Sequence, residues 1–169
     1  TIVSCDISFA SCDIILTDVR QFDIAIDQVN DTVYYASNST FELKRANLDG
    51  TGVVTIHSPF YPARASAAVD GVGGTLYWYD EQNNSIVAAN LDGSDATDLI
   101  LNADNALMDP MVVSMQIDVV HGKLYWMAQD AQEIRRANLD GTGVETVLST
   151  SVYRQLSLDT MNNKIYWNN

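Results

Sequence analysis

Arg45–Val53 reads RANLDGTGV, and Arg136–Val144 reads RANLDGTGV again. A near copy, AANLDGSDA, lies between them at Ala88–Ala96. Nine identical residues at an offset of 91 positions mark an internal repeat, and a repeat decides the architecture before any single residue does. The centre of the stretch is an Asp-Gly step. Glycine accepts the positive φ of a tight hairpin turn, so each copy predicts two antiparallel strands joined at LDG.

Aligning the copies brings other residues into register. A short apolar run ends in Asp four times: IAID at Asp27, AAVD at Asp70, MQID at Asp118 and LSLD at Asp159. Seven residues after each Asp comes Tyr34, Tyr77, Tyr125 or Tyr166, and the next residue is again aromatic, Tyr35, Trp78, Trp126 or Trp167. Fourteen residues after the first three Tyr come Leu48, Leu91 and Leu139 of the LDG triplet. All variation in length falls between LDG and the next Asp, at 21, 26 and 19 residues. Fixed spacing is structure under constraint; variable spacing is surface loop.

Each unit reads as four short strands: the run ending in Asp, the aromatic pair (TLYWYD, KLYWMA), the run before LDG (EIRRANL), and the run after it (VETVL). No long stretch has helical periodicity. Units of 41 to 48 residues with four antiparallel strands predict an all-β fold, a β-propeller of four-stranded antiparallel blades.

The bulk composition narrows the function. The chain has 169 residues, 47% of them hydrophobic, and a net charge of −13. Nucleic acid and anionic lipid both require Lys and Arg to neutralise phosphate, so neither is an expected partner. No apolar run approaches the ~20 residues of a membrane-spanning helix, so no membrane insertion is expected of this segment. The opening TIVSCDISFASCDIILTDV lacks a basic start and carries Asp6, Asp13 and Asp18, so it does not read as a signal peptide.

These anchors resemble the low-density lipoprotein receptor class B repeat, the YWTD repeat. The likeness rests on the Asp-x6-Tyr-Trp spacing, the LDG hairpin, and a Pro eight residues before the strand-one Asp at Pro62 and Pro110. It covers essentially the whole chain. The resemblance implies an extracellular or secreted propeller, usually six-bladed, that binds proteins or serves as a rigid spacer, without catalysis or cofactor. The chain departs from the family at the tetrapeptide, which reads YYAS, YWYD, YWMA and YWNN. Only Asp80 keeps the final Asp, so the hydrogen bonds that this residue makes in the family must be replaced or lost in the other units.

The repeat register also assigns the first and last residues. Residues 1–17 align without a gap onto Glu133–Ser149, with Ile2 on Ile134 and Cys5 on Ala137. The chain thus reads as a single propeller domain: strands three and four of a closing blade over 1–20, full blades over 21–63, 64–110 and 111–152, and strands one and two of the closing blade over 153–169. Three outcomes are consistent with matching half-blades. Closure in cis, the leading expectation, gives a four-bladed ring. Closure in trans joins copies into an oligomer or filament, and further blades on a longer chain would fill the gap instead.

Cys5 and Cys12 flank the first hairpin, and a turn at Ser8-Phe9 sets them opposite each other on paired strands. The alternative is two buried thiols; the extracellular setting implied by the resemblance favours a disulfide. Asn30, Asn38 and Asn83 head Asn-x-Ser/Thr sequons and are candidate glycosylation sites. Asp92, Asp95 and Asp98 lack the EF-hand pattern and read as a solvated turn. His57 and His121 are not at metal-ligand spacing, and no nucleophile, phosphate-loop or zinc-protease motif occurs, so no enzymatic role is expected. The four strand-one Asp recur in every unit, which argues for a structural hydrogen-bonding role. The aromatic pairs read as core. The 26-residue span after Asp92 contains LNADNALMDPM, whose Leu107, Met108, Asp109 and Met111 form the candidate partner-binding rim. Partners are expected to be proteins, including other copies of the chain.

Overall fold

Strand two of each blade is a continuous apolar run, TVYYAS, TLYWYD or KLYWMA, buried at consecutive positions, so both faces of that strand pack against neighbouring sheets. The computed structural model describes residues 1–5, 12–37, 39–60, 66–102, 112–151 and 155–168, with backbone alone over 20–23. The first four-stranded sheet is β3 (Val19–Asp27), β4 (Thr32–Ser37), β5 (Leu43–Asn47) and β6 (Val54–His57). The second is β7 (Ala67–Asp70), β8 (Thr75–Asp80), β9 (Ser85–Asn90) and β10 (Thr97–Leu101). The third is β11 (Val112–Asp118), β12 (Lys123–Ala128), β13 (Glu133–Asn138) and β14 (Glu145–Ser149). All three are antiparallel meanders in chain order, as the repeat predicts.

Before them comes the hairpin β1 (Ile2–Cys5) and β2 (Cys12–Leu16); after them comes β15 (Leu156–Asp159) and β16 (Lys164–Trp167). Closure in cis does not occur among the described residues. β1–β2 and β15–β16 are separate two-stranded sheets, and no four-stranded closing blade joins them. The strands nearest the axis instead form a row, with β3 against β7, β7 against β11 and β11 against β15.

Four clusters hold this row together. Ala25, Tyr34, Ala36 and Leu43 of the first blade meet Ala67, Leu76, Trp78 and Ala89 of the second. Ala68, Tyr77, Tyr79 and Ile86 of the second meet Met115, Leu124, Trp126 and Ala137 of the third. Tyr125, Met127 and Ile134 meet Leu156, Leu158 and Ile165 of the following hairpin. Leu16 and Ile2 of the preceding hairpin meet Val33, Tyr35 and Ala46. Trp78 and Trp126 are fully buried, and each removes roughly 200 Å² from water, a gross gain on the order of 5 kcal/mol.

The LDG turn locks blade to blade in two ways. The Tyr34 hydroxyl donates to the Leu91 carbonyl at 2.9 Å, and the Tyr77 hydroxyl donates to the Leu139 carbonyl at 3.3 Å. Two residues on, the turn glycine lies against strand four of the preceding blade. A Cβ on Gly93 would stand 2.8 Å from the Ile56 carbonyl oxygen, and one on Gly141 would stand 2.7 Å from that of Leu99. Gly50 meets the Ile15 carbonyl of β2 in the same manner, so β2 occupies the place of a strand four.

The hairpin register agrees. Pairing shifts by one residue between Ile2 and Val3, as it does between Leu43 and Lys44 and between Ile134 and Arg135. Cys5 and Cys12 sit directly opposite and are joined by a disulfide. The Ser8-Phe9 turn lies outside the described residues.

Two stability effects follow. Tyr34→Phe removes the hydroxyl that satisfies the Leu91 carbonyl and is expected to cost about 1–2 kcal/mol in urea unfolding. Replacing Cys5 and Cys12 together by Ser reopens the short loop and is expected to cost about 2.5 kcal/mol, read in the same assay.

Candidate interaction surfaces

The links between strands sort onto two rims. Phe60 N–H donates to the Phe41 carbonyl, and Thr150 N–H donates to the Gln132 carbonyl. These bonds put the strand four-to-one links beside the strand two-to-three turns. On the other rim, Leu48 N–H donates to the Asp31 carbonyl and Leu139 N–H to the Gly122 carbonyl. The strand one-to-two turns therefore sit beside the LDG turns.

Each strand-one Asp caps its own turn on this second rim. Asp27 accepts from the Val29 and Asn30 backbone at 2.9 and 3.1 Å, and Asp70 accepts from Val72 and Gly73 at 3.1 and 2.7 Å. Asp118 accepts from His121 N–H at 3.1 Å and lies 2.7 Å from its Nδ1. Asp159 accepts from Asn162 N–H at 3.1 Å and from its Nδ2 at 2.8 Å. Local Asx-type bonding of this kind fixes the turn, and all four carboxylates are spent on it.

Fixing the turns has a second effect. The residue two beyond each Asp is carried to the tip with its side chain in solvent. These residues are Val29, Val72, Val120 and Met161, at 61, 82, 75 and 93% exposure. Turn tips are ordinarily polar, so one large apolar side chain at the same position of four successive turns is an organised feature. Sequence reasoning missed it, although the pattern is readable as an apolar residue at Asp plus two in DQV, DGV, DVV and DTM.

The LDG turns ring these tips with negative charge. The carboxylates of Asp49, Asp92 and Asp140 are held below the ordinary aspartate range, chiefly by the hydroxyls of Thr51, Ser94 and Thr142. Those hydroxyls donate at 2.6 Å in each case. Asp18 is lowered too, first by the Ser37 hydroxyl at 2.6 Å and then by Ser39 at 2.7 Å. A depressed carboxylate contributes stability above its unfolded pKa, and that share is lost as the pH falls through the lowered folded value. Asp49, Asp92 and Asp140 are exposed and Asp18 is only half-buried, so each share is small.

The tetrapeptide departures have local replacements. Asp80 accepts from Gln82 N–H and Asn83 Nδ2 at 2.9 Å each. In the first blade, Ser37 stands at the equivalent place, buried, and Asp18 reaches across to it and on to Ser39 N–H. In the third, Ala128 stands there, and the Gln129 carbonyl takes over by accepting from Gln132 N–H at 3.1 Å and Nε2 at 2.9 Å.

The remaining sites divide as follows. Leu107, Met108, Asp109 and Met111 lie outside the described residues, as do Pro62, Pro110 and Asn38. Asn30 and Asn83 are exposed, with their amides donating to Asp27 and Asp80. Asp92, Asp95 and Asp98 do not converge: Asp92 holds Ser94, Asp95 holds Asn90 at 2.9 Å, and Asp98 holds Ser85 at 2.5 Å. His57 packs its ring 5.3 Å from Trp78, and His121 pairs with Asp118. Tyr34, Tyr77 and Tyr125 are buried, as are Trp78 and Trp126, whereas Tyr166 and Trp167 on β16 are exposed. A cleft of about 320 Å³ runs between the third blade and β15–β16, lined by Asp118, Lys123, Tyr125, Arg136, Asp159 and Lys164. Arg136 is occupied there by Glu145 at 2.7 Å and by the Tyr125 hydroxyl at 3.4 Å.

No family model matches the sequence, and no curated protein matches it. Solved structures do. A nidogen/laminin complex aligns over 92% of this chain with TM-score 0.76 and 26% identity, and the alignment spans 60% of that chain. TolB from Acinetobacter baumannii aligns over 90% of this chain and 38% of its own, with TM-score 0.69 and 9% identity. Regucalcin from Agrobacterium tumefaciens, a calcium-binding protein, aligns over 80% and 46%, with TM-score 0.57 and 13% identity. The latter two are alike in fold alone. Repeated four-stranded antiparallel sheets around an axis, shared with these proteins, make this chain a β-propeller.

Proposed function

We propose that the chain is an extracellular, non-catalytic protein-interaction module of the YWTD type. The observation that carries this reading is the likeness to the nidogen/laminin structure over nearly the whole chain, at an identity above that of the other two neighbours. The stapled β1–β2 hairpin supports an oxidising compartment. That structure is of nidogen in complex with laminin, so a large extracellular protein is the partner class to try first.

Two rims are available for binding. The apolar tips Val29, Val72, Val120 and Met161 within a ring of Asp carboxylates suit a partner face with apolar pockets and basic residues around them. The second candidate is the sequence-assigned Leu107, Met108, Asp109 and Met111 segment, which lies outside the described residues. Surface plasmon resonance against laminin and other matrix proteins tests the reading. Saturable binding is expected, weakened about tenfold by Val72→Asp with Val120→Asp if the turn rim is used, and by Leu107→Asp with Met108→Asp if the loop rim is used. Binding that ignores both pairs of substitutions, or turnover of a substrate at the axis, contradicts it.

A further inference from the structure

Arg45 and Arg136 open the two identical copies of the repeat, yet their surroundings differ. Each lies on strand three, between the Tyr of strand two and one residue of strand four. In the third blade that residue is Glu145, which accepts from Arg136 Nε at 2.7 Å. In the first blade it is Val54. Among the described residues no carboxylate pairs with Arg45, and its Nη1 reaches only the Leu91 carbonyl at a long 3.5 Å. The second blade has Ala88 at this place. The unpaired cation is therefore peculiar to the first blade and breaks the symmetry of the repeat.

A second departure gives that cation room. Lys123 begins strand two of the third blade and donates to Asn138 at 2.5 Å, whereas the shorter Thr32 begins that of the first, opposite Asn47. A cleft of about 310 Å³ lies there between the first and second blades, lined in part by Asn30, Thr32, Tyr34, Arg45, Asn47 and Leu91. Arg45 is the one charged side chain among the described residues that line it. Its polar neighbours are already engaged. Asn30 donates to Asp27 and to the Gly71 carbonyl, Tyr34 to the Leu91 carbonyl, and Asn47 to Thr51. Asp92 feels the charge of Arg45, but its carboxylate is taken up by Ser94 at 3.0 and 2.6 Å. Both walls belong to complete four-stranded blades, away from both ends of the row.

We propose that this cleft binds a carboxylate, with Arg45 as its anchor. A guanidinium stays charged at any physiological pH, and its planar fork matches the two oxygens of a carboxylate. One free cation on a chain of net charge −13 favours a single carboxylate over a phosphate or a polyanion, which the surrounding acids would repel. Two sources share this chemistry: a free carboxylic acid, and an Asp or Glu side chain of a partner protein. The site goes beyond the reading of the rims and stands whether or not a matrix protein binds there. The repeat also supplies its own competitor. Val54→Glu recreates the internal pair of the third blade, at a position that is 46% exposed and so tolerates the change.

NMR of the arginine Nε–Hε groups tests the site on the full chain. Acetate is the free-acid probe and acetyl-Ala-Glu-Ala-amide the side-chain probe. The controls are acetyl-Ala-Gln-Ala-amide and sodium chloride at equal ionic strength. A saturable shift of the Arg45 signal is expected with both carboxylates at about 1–10 mM, with slower exchange of its Hε with water and no change at Arg136. Tighter binding of the peptide than of acetate assigns the site to a partner's side chain; equal binding assigns it to free acids. Val54→Glu is expected to weaken both carboxylates at least ~10-fold and to move the Arg45 signal toward that of Arg136 before any ligand is added. Arg45→Gln is expected to abolish binding. The proposal is overturned by an Arg45 signal that the carboxylates leave unmoved or that chloride moves equally. Undiminished carboxylate binding in Val54→Glu overturns it as well.

Discussion

A glycine with no side chain, pressed against a carbonyl of the neighbouring blade, sets the distance at which these sheets stack. Gly93 on Ile56 and Gly141 on Leu99 repeat one contact, and Gly50 on Ile15 extends it to a hairpin whose sequence retains none of LDG. The adjacent Leu carbonyl is then close enough for a tyrosine hydroxyl from the same neighbour. Burial of the aromatic pairs follows from that spacing, because Trp78 and Trp126 fill the layer it defines. The repeat is therefore a rule about interfaces as much as about blades.

An interface rule has consequences where a neighbour is only half present. β14 has the sequence of its counterparts but not their burial, and Tyr166 has the place of three buried tyrosines yet stands in solvent. Position in the repeat predicts what each residue would do with a neighbour; exposure reports whether one is there. The same logic separates structure from recognition on the turn rim. The Asp caps are consumed internally, which frees the tips beside them to carry apolar groups outward.

Much of this was legible in the residues. The LDG turns, the four Asp and the Tyr pairs keep fixed spacing because backbone bonds and interface contacts tie them together, and the blades follow. Closure was not legible. Matching half-blades show that two edges are compatible, but compatibility does not pair them, and among the described residues β1–β2 and β15–β16 remain separate sheets. Asp18 was hidden for another reason: it replaces a missing tetrapeptide Asp from 19 residues upstream, across a link the repeat does not constrain. The turn-tip residues hold a fixed place after each Asp, but only their exposure separates a tip from a core position. The expected partner rim around Leu107 lies outside the described residues.

The most direct test of the interface rule compares two glycine substitutions by urea unfolding. Gly141 and Gly74 both have positive φ, +81° and +73°, but a Cβ on Gly141 meets the Leu99 carbonyl at 2.7 Å, whereas one on Gly74 meets nothing within 4 Å. Gly74→Ala should lose only the left-handed backbone cost of about 1–2 kcal/mol. Gly141→Ala should lose that plus an overlap of about 1–3 kcal/mol, because the blade beneath must shift. Equal losses at the two positions would contradict the claim that the bare turn sets the stacking of the blades.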